Sequence, residues 1–160
     1  MNLKVSISGV RGIYPDELNE KNVYSFVRKF CLNLKDGPVV VSRDTRDSGL
    51  QLKQVVKTAI KDSGRDYIDI DIVPLPTTAL AVKKCKAAGG IDITASHNPK
   101  EYNGLKFLNE EGSFISQEQV DFLKSEQSFD YNPEQEKEDI DFIKKEEVLK
   151  NHISLCRKIL

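Results

Sequence analysis

A short run of apolar residues at positions 38–42 constrains the fold of this chain more than any other segment. A strand with one face in water alternates apolar and polar residues, but Val39, Val40 and Val41 leave no polar face for solvent. Strands of this kind are typical of parallel sheets that helices cover on both faces. The segment therefore predicts a buried strand inside a layered α/β structure.

Strand and helix patterns alternate along the rest of the first 125 residues. Period-two or wholly apolar runs predict strands at residues 3–7, 38–42, 67–73, 90–93 and 105–108. Helical spacing and capping residues predict helices at 19–34, 52–64, 78–88 and 116–123. This alternation with short connections indicates an α/β fold, a three-layer α/β/α arrangement around a doubly wound mixed sheet.

The chain changes character near residue 130. Residues 1–130 are predicted to form the first domain, and the charged stretch 131–147 to form a linker. Residues 148–160 return to helical apolar spacing and are predicted to be the truncated first helix of a next domain.

Composition excludes several classes of partner. The 24 basic and 25 acidic residues nearly cancel, so neither nucleic acid nor an anionic membrane is expected as a partner. No apolar run approaches the length of a membrane span, and the first residues lead into a strand pattern instead of a signal peptide. Cys31, Cys85 and Cys156 lie far apart, which favours free thiols and a cytoplasmic location.

The most informative candidate site follows the strand predicted at residues 90–93. Ser96 lies where that strand gives way to a loop, which is where side chains are presented to ligands. Hydroxyl, imidazole, amide, phenol and ammonium groups follow within eleven residues: Ser96, His97, Asn98, Tyr102, Asn103 and Lys106. Such a set suits a hydroxyl that accepts and returns a phosphoryl group. The alternative is a polar surface turn, because serine, asparagine and proline are ordinary turn formers.

Three further segments, at residues 8–12, 43–46 and 74–78, are predicted as loops that leave strand ends. In doubly wound sheets such loops meet at the carboxyl edge and bind ligands there. Arg11, Arg43 and Arg46 would then supply positive charge close to Ser96. Surface ion pairs are the alternative for Arg43 and Arg46.

These motifs together resemble the phosphohexomutases, the phosphoglucomutase/phosphomannomutase superfamily. Residues 94–99 read Thr-Ala-Ser-His-Asn-Pro, and residues 102–106 read Tyr-Asn-Gly-Leu-Lys, as in the phosphoserine loop of that family. Residues 9–12 match its Gly-x-Arg-Gly segment, and residues 42–49 match its Gly-Arg-Asp-x-Arg-x-Ser-Gly segment with serine for the first glycine. Residues 74–78 are a looser match, and the resemblance extends to about residue 125.

The resemblance implies the first domain of an enzyme that interconverts hexose 1-phosphate and hexose 6-phosphate, with glucose or mannose as the sugar. It implies catalytic roles for four residues: Ser96, Arg11, Lys106 and His97. It implies substrate or phosphate contacts for five others: Asn98, Tyr102, Asn103, Arg43 and Arg46. For His97 the alternative is a structural role in holding the loop.

The family also implies Mg²⁺, bound to Ser96 through its phosphate, with the remaining ligands on a second domain that this sequence lacks. Asp69 and Asp71 are expected to be edge or solvent-facing carboxylates instead of ligands. A hexose 1,6-bisphosphate is the implied activator, and the implied partners are a hexose phosphate and the remaining domains of the full-length enzyme. The isolated chain is expected to have little mutase activity. Two alternatives stay open, namely a phosphoglucosamine mutase domain and a non-catalytic phospho-acceptor or binding module.

Overall fold

The computed structural model describes residues 3–132, 150 and 152–154. The strands within these residues are β1 (Lys4–Ser6), β2 (Gly9–Ile13), β3 (Val39–Arg43), β4 (Tyr67–Ile72), β5 (Gly89–Ile93) and β6 (Tyr102–Leu108). The helices are α1 (Glu20–Leu32), α2 (Ser48–Asp62), α3 (Leu75–Lys84) and α4 (Gln117–Leu123). The six strands form one sheet in the order β1-β2-β6-β5-β3-β4.

The sheet is mixed, as predicted. Strand β3 pairs in parallel with both β4 and β5, whereas β6, β2 and β1 continue the sheet by antiparallel pairing. Val39, Val40 and Val41 are 0% exposed, which confirms the buried parallel strand predicted for residues 38–42. The polar residues that follow β3 and β5 therefore meet at one edge of the sheet.

Helices cover both faces of the sheet, which confirms the three-layer arrangement. The larger core lies on the face covered by α1, α2 and α4, and the Phe30 and Phe107 rings pack there with centroids 4.8 Å apart. The smaller core lies under α3, which packs on β3 and β5.

Helix caps explain where two helices begin. Asn19 caps α1, and Asn22 returns the contact, so that both side chains bond the backbone of the other residue. Ser116 and Gln119 form the same reciprocal capping box at α4. Both predicted starts are thereby confirmed, because each box satisfies amide groups that have no partner inside the helix.

Two of the predicted loops are regular structure instead. Residues 9–12 belong to β2, which hydrogen-bonds to β1 on one side and to β6 on the other. Residues 75–78 form the first turn of α3, where Pro76 is tolerated because amides of the first turn need no helical acceptor. Thr77 and Thr78 are 0% exposed, so they cannot contact a ligand at the surface.

The two aspartates of β4 have different surroundings. The strand lies at the edge of the sheet, as expected, but the Asp69 side chain is only 7% exposed and pairs with Lys53 and Lys57 at 2.9 and 2.8 Å. Burial alone would raise the pKa of Asp69, but hydrogen bonds from the two lysines leave it below its ordinary value. For Asp69 the edge alternative therefore holds and the solvent-facing alternative does not. The solvent-facing alternative holds for Asp71, whose side chain is 42% exposed.

The predicted linker and terminal helix fall largely outside the described residues. Residue 150 and residues 152–154 are helical, and His152 Nδ1 lies within hydrogen-bond distance of Thr77 Oγ1. The division of the chain at residues 130 and 147 stays a prediction. None of the described helices has the length and apolar character needed to cross a membrane.

Candidate active site

Ser96 stands two residues beyond Thr94, in the loop that follows β5, and its side chain is exposed. Its backbone φ is +59°, a left-handed conformation that residues with a side chain rarely adopt. Such a conformation costs about 1–2 kcal/mol and persists only where surrounding contacts hold it. The serine is therefore presented to solvent on a strained but well-fixed backbone.

Arg46 supplies most of those contacts. Its guanidinium donates to four backbone carbonyls of the Ser96 loop: Ser96 at 3.0 Å, Asn98 at 2.8 Å, Pro99 at 2.7 Å and Tyr102 at 3.0 Å. Its Nε donates to Asp44 Oδ2 at 3.0 Å. All donors of the guanidinium are thus used within the chain. The structure brings Arg46 to the site as the anchor of the loop, and its predicted contact with phosphate stays a prediction.

Asp44 and Thr94 connect this anchor to the amide of Ser96. The Thr94 hydroxyl donates to Asp44 Oδ2 at 2.7 Å and accepts from the Ser96 amide at 2.9 Å. Asp44 also accepts from the Arg46 amide at 3.0 Å, and its own amide donates to the Ile93 carbonyl. The loop after β3 therefore fixes the loop after β5 through a continuous set of hydrogen bonds.

A depression on one side of Ser96 is lined by positive charge. Arg11 of β2 and Lys106 of β6 line it together with Ser96, as predicted from the sequence, and so does Lys4 of β1. Its lining contains no aspartate or glutamate. The Lys106 ammonium also lies 5.5 Å from the Phe114 ring centroid. A group that carries negative charge at Ser96 would meet cations and no competing carboxylate here.

A second depression opens on the other side of Ser96. It is lined by residues of mixed charge, among them Asp47, Lys100 and Glu101, and by Tyr14. Ser96 and Thr94 belong to both depressions. Ser96 therefore borders both depressions and can be approached from either side.

The imidazole of His97 lies close to the serine hydroxyl. Its Nδ1 lies 3.4 Å from Ser96 Oγ, and both side chains are exposed. A neutral imidazole at this distance can accept a proton from the hydroxyl after a small approach. The structure brings the two groups together, and the catalytic role of His97 stays a prediction.

Of the remaining predicted contacts, Asn98 lines the second depression, whereas Tyr102 and Asn103 line neither depression. Asn98 donates to the Ala95 carbonyl at 2.6 Å and braces the turn. Asn103 is 0% exposed and donates to Ser48 Oγ at 2.8 Å, at the start of α2. Tyr102 is half-buried at the beginning of β6. The structure shows these residues shaping the loop and does not test their predicted contacts with substrate.

Arg43 faces away from the Ser96 loop. Its Nε lies 3.3 Å from Asp71 Oδ1, and its side chain packs near Gly49. Arg43 is the last residue of β3 and Arg46 lies in the loop that follows, and only Arg46 is brought to the Ser96 loop.

A buried polar group lies beneath the same edge. Ser42 donates to Asp92 Oδ1 at 2.8 Å and lies 2.7 Å from Thr78 Oγ1, with exposures of 0% for Ser42 and Thr78 and 2% for Asp92. Burial raises the pKa of Asp92 to about 6, against the lowering effect of the Ser42 hydrogen bond. Asp92 is the register partner of Lys106, so the negative charge of its ionised form interacts with the Lys106 ammonium at the site.

The sequence interpretation missed Lys4, Asp44 and Thr94. Asp44 and Thr94 stood inside quoted motifs, Asp44 next to Arg43 and Thr94 two residues before Ser96. Lys4 stood in a predicted strand, and only the pairing of that strand places it beside Ser96.

The described residues offer Mg²⁺ no complete site. Among residues 3–132, 150 and 152–154 there is no group of three or more His, Cys, Asp or Glu side chains that could hold a metal ion. Asp44, the carboxylate linked to the Ser96 amide through Thr94, is already used by Arg46 and Thr94. The described residues thus do not fit a resident Mg²⁺ by themselves.

Comparisons with known proteins match this geometry. Residues 2–129 match the family model described as phosphoglucomutase/phosphomannomutase, alpha/beta/alpha domain I. The chain is 38% identical over 108 residues to a phosphoglucosamine mutase of Prochlorococcus marinus, a match that covers 67% of this chain and 24% of the relative. It is 37% identical over 107 residues to proteins of Xanthomonas campestris named phosphohexose mutases, covering 67% of this chain and 24% of each.

Solved structures give the same result. A protein of Thermus thermophilus, provisionally named a phosphomannomutase, superimposes with a TM-score of 0.71 at 29% identity, covering 78% of this chain and 29% of that one. A phosphoglucomutase/phosphomannomutase family protein of Burkholderia thailandensis superimposes with a TM-score of 0.64 at 29% identity, covering 76% of this chain and 30% of that one. The matched segment spans about a quarter of the length of the curated relatives.

Proposed function

Because this chain belongs to the phosphoglucomutase/phosphomannomutase family as its alpha/beta/alpha domain I, we propose that it carries the phosphoryl group during the interconversion of hexose 1-phosphate and hexose 6-phosphate. Ser96 is the acceptor and donor of that group. The observation that carries the proposal is the exposed serine, held at φ +59° by Arg46, Asp44 and Thr94 beside a depression lined by cations.

In the proposed reaction, Ser96 Oγ attacks a phosphorus atom of a hexose 1,6-bisphosphate. A new P–O bond forms at Ser96 and the P–O bond to the sugar breaks. In this proposal His97, with its Nδ1 3.4 Å from the hydroxyl, takes the proton that the serine gives up, and one proton returns to the leaving sugar oxygen, so that the step is balanced. The reverse step returns the phosphoryl group to the other hydroxyl of a hexose monophosphate and restores the serine.

Arg11 and Lys106 stabilise the charge on the transferring group. Phosphoryl transfer depends mainly on positioning and on neutralising the phosphate oxygens, and a phosphoserine carries close to ~2 negative charges at neutral pH. Mg²⁺, when bound, would add to that neutralisation. The described residues do not complete a site for the ion, so its remaining ligands would have to come from outside them.

The second candidate keeps the reaction and changes the sugar. Several relatives that match this chain are named phosphoglucosamine mutases, and this favours an amino sugar phosphate as much as glucose or mannose phosphate.

A chimera tests the proposal. Residues 1–129 of this chain replace the corresponding first domain of the Prochlorococcus relative, and conversion of glucosamine, glucose and mannose phosphates is measured. We expect conversion of at least one of them, its loss in Ser96→Ala, and no loss in Ser128→Ala, which removes an exposed hydroxyl outside both depressions. A folded chimera that is inactive on every sugar, or equally active with Ser96→Ala, would contradict the proposal.

A further inference from the structure

Strand pairing places three cations in a row beside Ser96. Lys4 of β1 is the register partner of Arg11 in β2, and Arg11 is the register partner of Gly104 in β6. Lys106 is two residues beyond Gly104, and side chains two apart share a face of the sheet. Lys4, Arg11 and Lys106 therefore project from one face, across three adjacent strands, and all three line the depression that Ser96 borders.

Two of the three cations have no acidic partner among the described residues. Within the part of the chain that the structure describes, neither Lys4 nor Arg11 makes a side-chain hydrogen bond or an ion pair, and Lys106 has only the Phe114 ring and the buried carboxylate of Asp92 nearby. Like charges opposite one another on a sheet are destabilising. A bound anion would reverse that unfavourable term, so the arrangement favours a ligand with several negative charges.

The number of cations fits the charge to be held. A phosphoserine carries close to ~2 negative charges, and an incoming sugar phosphate adds about as many. Arg11 and Lys106 alone offset only the first group, and Asp92 beneath Lys106 reduces their effect. The state with two phosphate groups therefore needs a third cation at the same depression more than the free serine does, because it has more negative charge to neutralise.

We propose that Lys4 binds the phosphoryl group at Ser96, as the third cation of the row formed with Arg11 and Lys106. The inference rests on the proposed function, because it assumes that phosphate occupies Ser96. The ammonium is compact, flexible and strongly hydrated, which suits a residue that follows phosphate oxygens as a point charge. Nothing in the sequence marks Lys4 for this role, since its place in the row depends on the pairing of β1 with β2.

The test uses the 160-residue chain with phosphoserine inserted at position 96 during translation, so that no enzymatic phosphorylation is needed. The second pKa of the phosphoserine is measured by ³¹P NMR titration at low salt. A cation that contacts the phosphate lowers this pKa, and at about 4 Å in water the pair energy of about 1 kcal/mol corresponds to ~0.7 pH units. We therefore expect Lys4→Gln to raise the pKa by about 0.5 units and Lys4→Arg to leave it near the wild-type value.

Lys86→Gln is the matched control. Lys86 is exposed and precedes the start of β5, at the sheet edge opposite Ser96, so its removal changes the net charge equally without reaching the phosphate. A pKa that shifts no further in Lys4→Gln than in Lys86→Gln would overturn the assignment of Lys4.

Arg11→Gln separates this inference from the proposed function. If Arg11→Gln raises the pKa and Lys4→Gln does not, only the role of Lys4 is refuted. If neither substitution changes it while both proteins unfold at the wild-type urea concentration, the phosphate does not occupy this depression, and the proposed charge stabilisation is refuted as well.

Discussion

Replacement of Arg46 by methionine tests how the fold holds Ser96. Methionine keeps most of the side-chain length and removes every donor, so the four carbonyl bonds and the Asp44 ion pair are lost together. The bonds to Asn98 and Tyr102 are partly buried and count about 1 kcal/mol each. The bonds to Ser96 and Pro99 are solvent-exposed, so water replaces them at little cost.

The ion pair adds a comparable amount. The Arg46 and Asp44 side chains are 12% and 27% exposed, and a partly screened pair of this kind contributes about 1 kcal/mol. The total is a loss of about 3 kcal/mol, which corresponds to a factor on the order of 100 in the opening equilibrium of the loop. We expect urea unfolding to report the lower free energy of unfolding. Hydrogen exchange should show faster exchange at the amides of Ser96, Asn98 and Tyr102.

Arg65→Met is the matched control for that experiment. Arg65 also donates to four backbone carbonyls (those of Cys31, Leu34, Lys35 and Gly37), but at the end of α1, away from Ser96. It should lower the free energy of unfolding without a selective effect on the Ser96 loop. An Arg46→Met protein within about 0.5 kcal/mol of wild type, with unchanged exchange in the loop, would refute the anchoring role.

Three further substitutions have defined expectations. The first is Asp92→Asn. In the wild-type protein the folded-state pKa of Asp92 is about 6, above the ordinary 3.8, so ionisation of Asp92 weakens the native fold as pH rises through this window. The free energy of unfolding of the variant relative to wild type should rise by up to about 3 kcal/mol between pH 4 and pH 7 in urea titrations, and a constant difference would contradict this. In Gly104→Ala, the new Cβ would lie 2.5 Å from the Val10 carbonyl oxygen and 2.8 Å from that of Thr94. The free energy of unfolding should therefore fall by about 1–3 kcal/mol. An unchanged urea midpoint would refute that reasoning. In Thr94→Val, the acceptor of the Ser96 amide is lost, and exchange of that amide should increase about 10-fold, whereas unchanged exchange would show that the bond is not formed in solution.

Local sequence signals predicted the parts of the fold that are decided locally. The apolar run at residues 38–42 has no polar face, and the cap residues Asn19 and Ser116 satisfy their own helix ends, so these elements needed no knowledge of distant neighbours. The order of the motifs also placed Ser96 at the carboxyl edge of the sheet, because parallel strands bring their following loops together.

Elements that depend on distant partners were not predictable in the same way. Residues 9–12 have the composition of a turn, and they form β2 only because β1 and β6 pair with them on both sides. The roles of Arg43 and Arg46 could not be separated, since both lie at the carboxyl end of β3 and only the folded chain turns one toward Asp71 and the other toward the loop. Lys4 was overlooked because its position beside Ser96 is a consequence of register.

The central claim is that Ser96 carries the phosphoryl group, and phosphosite mapping tests it most directly. The chimera described above, which carries residues 1–129 of this chain, and its Ser96→Ala variant are each incubated with glucose 1,6-bisphosphate or glucosamine 1,6-bisphosphate and Mg²⁺, and intact mass and peptide masses are recorded. We predict one phosphoryl group per chimera, on Ser96, and none in the variant. Phosphate on another residue, equal phosphorylation of the Ser96→Ala chimera, or a folded chimera with Ser96 intact that accepts none would contradict the claim.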